Sequence, residues 1–458
     1  MHTKDVTVDP REAFPGGQAS VDMTHKPNFR IPAANLDSEQ RMIFYTGHSF
    51  AKNPWIAAPA STTARDGLGP LFNARSCMSC HVNGGRGRTI HDSDEAPVSL
   101  LVRLSIPADN TSGEHKDNLQ RLGVVPEPVY GTQVQVKGLT SFGVQGEALP
   151  VLNWKFITGH YVDGKAYELR RPEIMFEQLA YGDMHPQTQI SLRMAPALAG
   201  MGLLEAIPEA AVIAQVDEED KDNNGISGRP NWVWSITKKQ TVLGRFGWKA
   251  SQPTVVQQTA SALHNDMGIT SLLFPDEVCS ERQTACGKAP NGNGPSGTEI
   301  EAKLLSAMTL FTESLALPAR GNWNDLGLLE GKKIFHSIQC SACHTPAFIT
   351  SNNTENPALG NQAIWPYSDL LLHDMGEGLA DNRNDFAANG REWRTAPLWG
   401  LNVAKRINPD AAYLHDGRAR TLAEAILWHG GEAHNAREAF KALREEQRAS
   451  LINFIESL

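Results

Sequence analysis

The chain has 458 residues, 41% hydrophobic and 20% charged, enough for two or more packed domains and outside the range of disordered or fibrous proteins. Its 42 basic and 51 acidic residues leave a net charge of −9, which argues against nucleic acid as a partner and suits a basic protein partner at most as a surface effect. The best apolar stretch, Ala195 to Val216, is broken by Glu205, Pro208 and Glu209, so no transmembrane segment is expected.

In chain order, residues 1–35 are rich in Pro, Asp and Thr without periodicity and read as an extended N-terminal arm over the surface. Met1-His-Thr-Lys-Asp lacks a basic start followed by an apolar run, so a processed or recombinant form is expected. A helix is expected from Ser38 to about Phe50, ahead of Cys77-Met-Ser-Cys80-His81. From about 124 to 240 the alternation in Thr132-Gln-Val-Gln-Val, the turn signal Tyr161-Val-Asp-Gly-Lys and Trp232-Val-Trp-Ser-Ile predict short strands, with helices returning over about 241–278. Gly287-Lys-Ala-Pro-Asn-Gly-Asn-Gly-Pro-Ser-Gly reads as a linker. Beyond it the pattern gives helices at Glu299–Ser314 and Leu326–Ser337, then Cys340-Ser-Ala-Cys343-His344, and a long helix from Ala436 to Leu458.

Two CxxCH patterns among six cysteines and fifteen histidines are too specific for chance. Thiols three positions apart can reach the two vinyl groups on one side of a haem, and the next side chain then lies beneath the iron as an imidazole ligand. Zinc prefers four converging Cys/His ligands, and a redox dithiol does not need the following His. Two covalently bound haem c groups are therefore expected, on Cys77, Cys80 and His81 and on Cys340, Cys343 and His344. The basic loop Asn83-Gly-Gly-Arg-Gly-Arg after His81 suits haem propionates. Haem attachment of this kind occurs outside the cytoplasm, which points to the periplasm, and a Cys279–Cys286 disulfide is favoured there over two free thiols.

What fills the far face of each iron decides between electron transfer and chemistry at the metal. His429 follows Trp428 in an apolar segment that Thr421 and Glu424 open as a capping box, with His373 and Met375 as competitors for the same iron. His91 or His264 could close the first iron. Asp220-Lys-Asp222-Asn-Asn224-Gly-Ile-Ser matches the first half of a calcium loop, although Asn231 stands at its usual acidic twelfth position, so calcium and a solvated turn stay open as readings of Asp220, Asp222 and Asn224.

The two CxxCH motifs, Gly67-Leu-Gly-Pro-Leu-Phe-Asn-Ala-Arg-Ser-Cys, Arg245-Phe-Gly-Trp-Lys-Ala and Leu371-Leu-His-Asp-Met-Gly resemble the bacterial di-haem oxidoreductases, described as thiol oxidoreductases or peroxidases. More distantly the chain is similar to the di-haem cytochrome c peroxidases and the enzyme that matures methylamine dehydrogenase. The resemblance implies that His415-Asp-Gly matches a peroxidase segment, with His429 replacing a distal Met fourteen residues later. It implies further that Trp248 lies between the haems and that Gln258 and Asp266-Met267 match a Gln and a catalytic Glu-Met pair, although Asp replaces Glu and the spacing is two residues shorter. Trp248 as plain packing and Asp266 as a solvated helical acid are the competing readings.

The fold expected is mainly α, with two cytochrome c-like haem domains: 36–123 completed by 241–286, with a β-containing insertion at 124–240, and 299–458 after a linker at 287–298. The function expected is a periplasmic oxidoreductase reducing hydrogen peroxide at the first haem, with electrons from a protein donor relayed through the second. A pure electron-transfer cytochrome, or an oxygenase or protein-oxidising enzyme using the same open iron, is the alternative.

Overall fold

The computed structural model describes residues 9–88, 98–109 and 111–458. Helices form where the apolar pattern repeats, at Ser38–Lys52, Ala302–Glu313 and Leu326–Ser337, the first and third with a capping side chain. The Asp37 carboxylate accepts from the Gln40 amide and Asp325 from Gly327 and Leu328, satisfying donors that have no carbonyl within the helix. Phe44 and Phe311 meet with ring centroids 5.1 Å apart, and a Cβ on Gly47 would lie 2.1 Å from the Ala307 carbonyl oxygen. Glycine thus lets the helix before the first motif press on Ala302–Glu313, which lies beyond the linker in sequence.

The mainly α expectation does not hold. The chain is 32% helix and 18% strand, with six two-stranded antiparallel sheets among the described residues. The longest pairs Leu149–His160 with Ala166–Glu177, in register from Leu149↔Glu177 to His160↔Ala166, around the expected turn at Tyr161–Lys165. Its tip reaches the C-terminal helices, where Asp163 accepts from Arg448 at 2.6 Å. Leu100–Ser105 pairs with Gln189–Met194 and Trp232–Ser235 with Gln240–Leu243. Strands also occur in the C-terminal part, as Phe348–Ile349 with Ala363–Ile364 and Leu372–Asp374 with Glu392–Arg394. Pairs of two or three residues are too short for a period of two to register in a sequence.

Three further expectations change. Thr132–Val136 forms a bridge at Gln133↔Arg103 rather than a strand, because the Gln133 and Gln135 amides turn inward to the Asn265 carbonyl. The terminal helix is two, His434–Ala442 and Glu445–Glu456, separated by extended backbone at Leu443 and Arg444. The N-terminal arm is inserted rather than draped, with Met23, Phe29 and Ala33 buried and Glu12 paired with both Arg320 and Lys332.

One apolar core runs from this arm through Ile407, and a second gathers the C-terminal helices. Cys77 packs on the first and Cys340 on the second, so each CxxCH motif opens onto its own core.

Candidate functional site

Cys77–Cys80 forms one helical turn, and His81 follows it into a cavity of about 710 Å³. The His81 Nδ1 donates to the Pro196 carbonyl at 2.6 Å, so its Nε2 carries the lone pair and has no partner among the described residues. Burial pulls the His81 pKa down to about 4, which keeps the ring neutral and ready to ligate a metal. Burial, with Asp266 adding to it, pushes the Cys77 and Cys80 thiols up to about 12.

The second cavity, about 190 Å³, is lined by Cys340, Cys343 and His344. The His344 Nδ1 donates to the Tyr367 carbonyl at 2.9 Å, and burial lowers its pKa to about 4. His429 lines the same cavity. It is the first residue past the helix Leu422–Trp428, its backbone N–H turning to the Ile426 carbonyl, so the Ala425 carbonyl is left for its own Nδ1 at 2.7 Å. Among the described residues its Nε2, like that of His344, has no partner. Thr421 caps this helix as expected, although Glu424 turns to the Arg420 amide and leaves the capping box incomplete.

His373 does not compete. Its Nε2 donates to Asp369 at 2.9 Å and its Nδ1 to Glu432 at 2.6 Å, so both nitrogens are used. Burial opposes the imidazolium, but Cys343, Asp369 and Glu432 together hold its pKa well above the ordinary value. His415 lies flat on Trp393, 3.6 Å between ring centroids. Met375 also reaches the wall of this cavity.

Trp248 lines both cavities. Its indole N–H donates to the Met194 carbonyl at 2.8 Å, and its own carbonyl accepts from the Arg394 backbone N–H at 2.9 Å. One indole therefore separates two sites that each carry a CxxCH motif.

A family model described as "Di-haem oxidoreductase, putative peroxidase" matches residues 14–458, nearly the whole chain. The chain belongs to the di-haem oxidoreductase family. A search of curated proteins gave no match. Two haem groups fit this di-haem oxidoreductase, because each cavity offers two thiols and an adjacent neutral imidazole with a free Nε2. Zinc does not fit: among the described residues the group that gathers three ligand atoms is Asp217, Asp220 and Asp222, with no Cys or His.

The other residues of the oxidoreductase divide around the larger cavity. Asp266, Gln258 and His264 all line it. Asp266 accepts from the Gln133 side chain at 3.0 Å, and burial raises its pKa, so it is not a solvated acid. Gln258 makes no side-chain hydrogen bond among the described residues. His264 is held away by its Nε2 on the Asp276 carbonyl at 2.8 Å and by stacking on Phe274, while its Nδ1 is unpartnered. His91 lies outside the described residues. Sequence reasoning missed Glu277, which lines this cavity with Oε2 unpartnered and its pKa raised to about 8 by burial and by Glu299. It missed Gln133 as well; neither stands in a motif.

In the acidic loop, Asp217 joins Asp220 and Asp222 in place of Asn224. The Asn224 amide is used at both ends, donating to Asp222 at 2.9 Å and accepting from the Ile226 N–H at 2.8 Å. Cys279 and Cys286 form the expected disulfide.

Proposed function

We propose that this di-haem oxidoreductase is a periplasmic c-type peroxidase. Its haems are bonded through Cys77 and Cys80 in one cavity and Cys340 and Cys343 in the other, and hydrogen peroxide is reduced on the His81 side with electrons received on the His344 side from a protein donor. One observation carries this reading. Among the described residues the larger cavity offers one imidazole Nε2 without a partner, on His81, while its His264, although unpartnered at Nδ1, is held by its Nε2 on the Asp276 carbonyl and by stacking on Phe274; the smaller offers two, on His344 and His429. A haem held by one imidazole supplies an open coordination position for a small oxidant, whereas one held by two supplies electron transfer.

The chain contributes protons, orientation and a path. Reduction of hydrogen peroxide to two waters consumes two protons and two electrons. Asp266, whose pKa burial raises, would carry protons at a carboxyl oriented by Gln133. The Pro196, Tyr367 and Ala425 carbonyls fix the three imidazoles in one tautomer. Trp248 supplies aromatic contact between the two sites. Thiols pushed up to about 12 at Cys77, Cys80 and Cys340 speak against dithiol catalysis, which needs a lowered thiol pKa. The Cys279–Cys286 disulfide supports an oxidising compartment.

Denaturing haem quantification and low-temperature EPR test the reading. Two haems that stay attached after denaturation are expected, one low-spin and one high-spin, the latter shifting on cyanide or peroxide. Two low-spin signals unmoved by cyanide would remove the peroxidase assignment.

A further inference from the structure

Four of the guanidiniums on the walls of these cavities have carboxylate partners. Arg193 pairs with Asp381 and Asp385, Arg383 with Asp385, Arg121 with Asp117 and Arg437 with Glu438. Among the described residues, Arg86, Arg394 and Arg103 have none. A buried guanidinium without an anion is costly, so three of them facing cavities indicate anions that belong there.

Arg86 makes no side-chain hydrogen bond among the described residues and lies over the Tyr413 ring, 5.5 Å from its centroid, on the wall of the His344 cavity. Arg394 lines the same cavity and reaches only carbonyls, Gly247 at 2.9 Å and Thr395 at 3.2 Å. Burial lowers the Arg86 pKa and brings that of Arg394 down to about 10. The nearby Asp369 is committed to His373 and to the Leu371 amide. Arg103 lines the His81 cavity without a side-chain hydrogen bond, and the acid nearest to it in effect, Asp266, is itself shifted toward its neutral form. Beside it Arg193, Arg383 and Lys249 share Asp381 and Asp385, three cations on two carboxylates.

Among the described residues no carboxylate is in ion-pair contact with Arg86, Arg394 or Arg103, and a haem carries two propionate carboxylates. Resting on the haem placement proposed above, we infer that Arg86 and Arg394 bind the propionates of the haem on His344, and that Arg103 with the Arg193–Arg383 cluster binds those of the haem on His81. The assignment of Arg86 crosses the chain order. It follows His81 by five residues, yet its guanidinium enters the other cavity, its backbone fixed by the Asn408 side chain on the Arg86 carbonyl at 2.9 Å. The basic loop after His81 thus ties the attachment segment of one haem to the carboxylates of the other.

Spectroelectrochemical titration of the full-length holoprotein tests this. A guanidinium beside a haem favours the reduced state, so its loss lowers the midpoint potential of that haem. Arg86→Met and Arg394→Met should each lower the potential of the low-spin haem and leave the other in place, whereas Arg103→Met should lower that of the high-spin haem. Arg86→Lys should restore most of the shift. Loss of one haem in Arg86→Met with full loading in Arg86→Lys would also support the charge role. A shift confined to the high-spin haem in Arg86→Met, no shift in fully loaded variants, or equal haem loss in the Met and Lys variants would overturn it. Fewer than two haems in the wild-type protein would instead sink the haem placement itself.

Discussion

Trp248 donates its indole N–H to the Met194 carbonyl at 2.8 Å, which pins the ring in the partition between the two cavities. Trp248→Phe keeps an aromatic ring but loses this bond, at an expected cost of about 1 kcal/mol in thermal or urea unfolding. Electron passage between the centres, followed by stopped-flow after reduction of one of them, should slow. An unchanged rate would leave Trp248 as packing alone.

His429 takes up the carbonyl that its helix end leaves free, so its ring is held without help from a metal. His429→Ala should turn the low-spin centre high-spin and leave the other unchanged, and His429→Met should keep it low-spin with a raised potential. His373→Ala should preserve the low-spin spectrum, since both of its nitrogens serve carboxylates. Optical and EPR spectra separate these outcomes.

The His373 cluster also sets a pH window. Its folded pKa lies above the unfolded value of 6.5, so the stability it contributes is complete below that value and is lost as pH rises through the raised folded pKa. Glu432 is shifted the other way: burial opposes the charge, but His373 prevails and lowers its pKa, so its contribution is present above 4.5 and is lost as pH falls through the depressed value. In His373→Phe the alkaline decline in melting temperature should flatten. A parallel decline in the variant would assign it to other groups.

Two acids face the larger cavity with raised pKa values. Asp266→Asn should cut peroxide turnover by about 100-fold or more with haem content unchanged. Glu277 has a folded pKa of about 8 against 4.5 unfolded, so its neutral form favours the fold and wild-type stability falls as pH rises between these values. Glu277→Gln should be more stable than wild type above pH 8 and close to it near pH 4.5 by differential scanning calorimetry. If turnover falls in Glu277→Gln and not in Asp266→Asn, the proton carrier is Glu277.

Glu12 joins the N-terminal arm to Arg320 and Lys332 in the interior. Glu12→Ala removes a carboxylate shared by two buried cations and should cost about 3–5 kcal/mol in denaturant unfolding. Early proteolysis of the arm would accompany it.

The CxxCH pairs were legible because the pattern is local: two thiols and an imidazole fall within five consecutive residues, as the proposed attachment to one porphyrin requires. Helix starts at Ser38 and Leu326 and the cap at Thr421 were legible for the same reason, each being set within a few residues of itself. The mainly α reading failed where strands of two or three residues carry too little periodicity to be seen, as at Leu372–Asp374 with Glu392–Arg394. Glu277 and Gln133 were invisible because their roles come from what surrounds them.

By itself the amino-acid order determined which residues can bond a porphyrin, where most helices begin, and that Cys279 and Cys286 can pair. Tertiary structure alone decided that His429 and His344 share a cavity, that His373 is spent on two carboxylates, and that Arg86 lines the cavity of His344 rather than that of His81. The physical reason is separation along the chain. Burial, charge pairing and the sharing of a cavity arise between residues tens to hundreds of positions apart, and no local pattern encodes them.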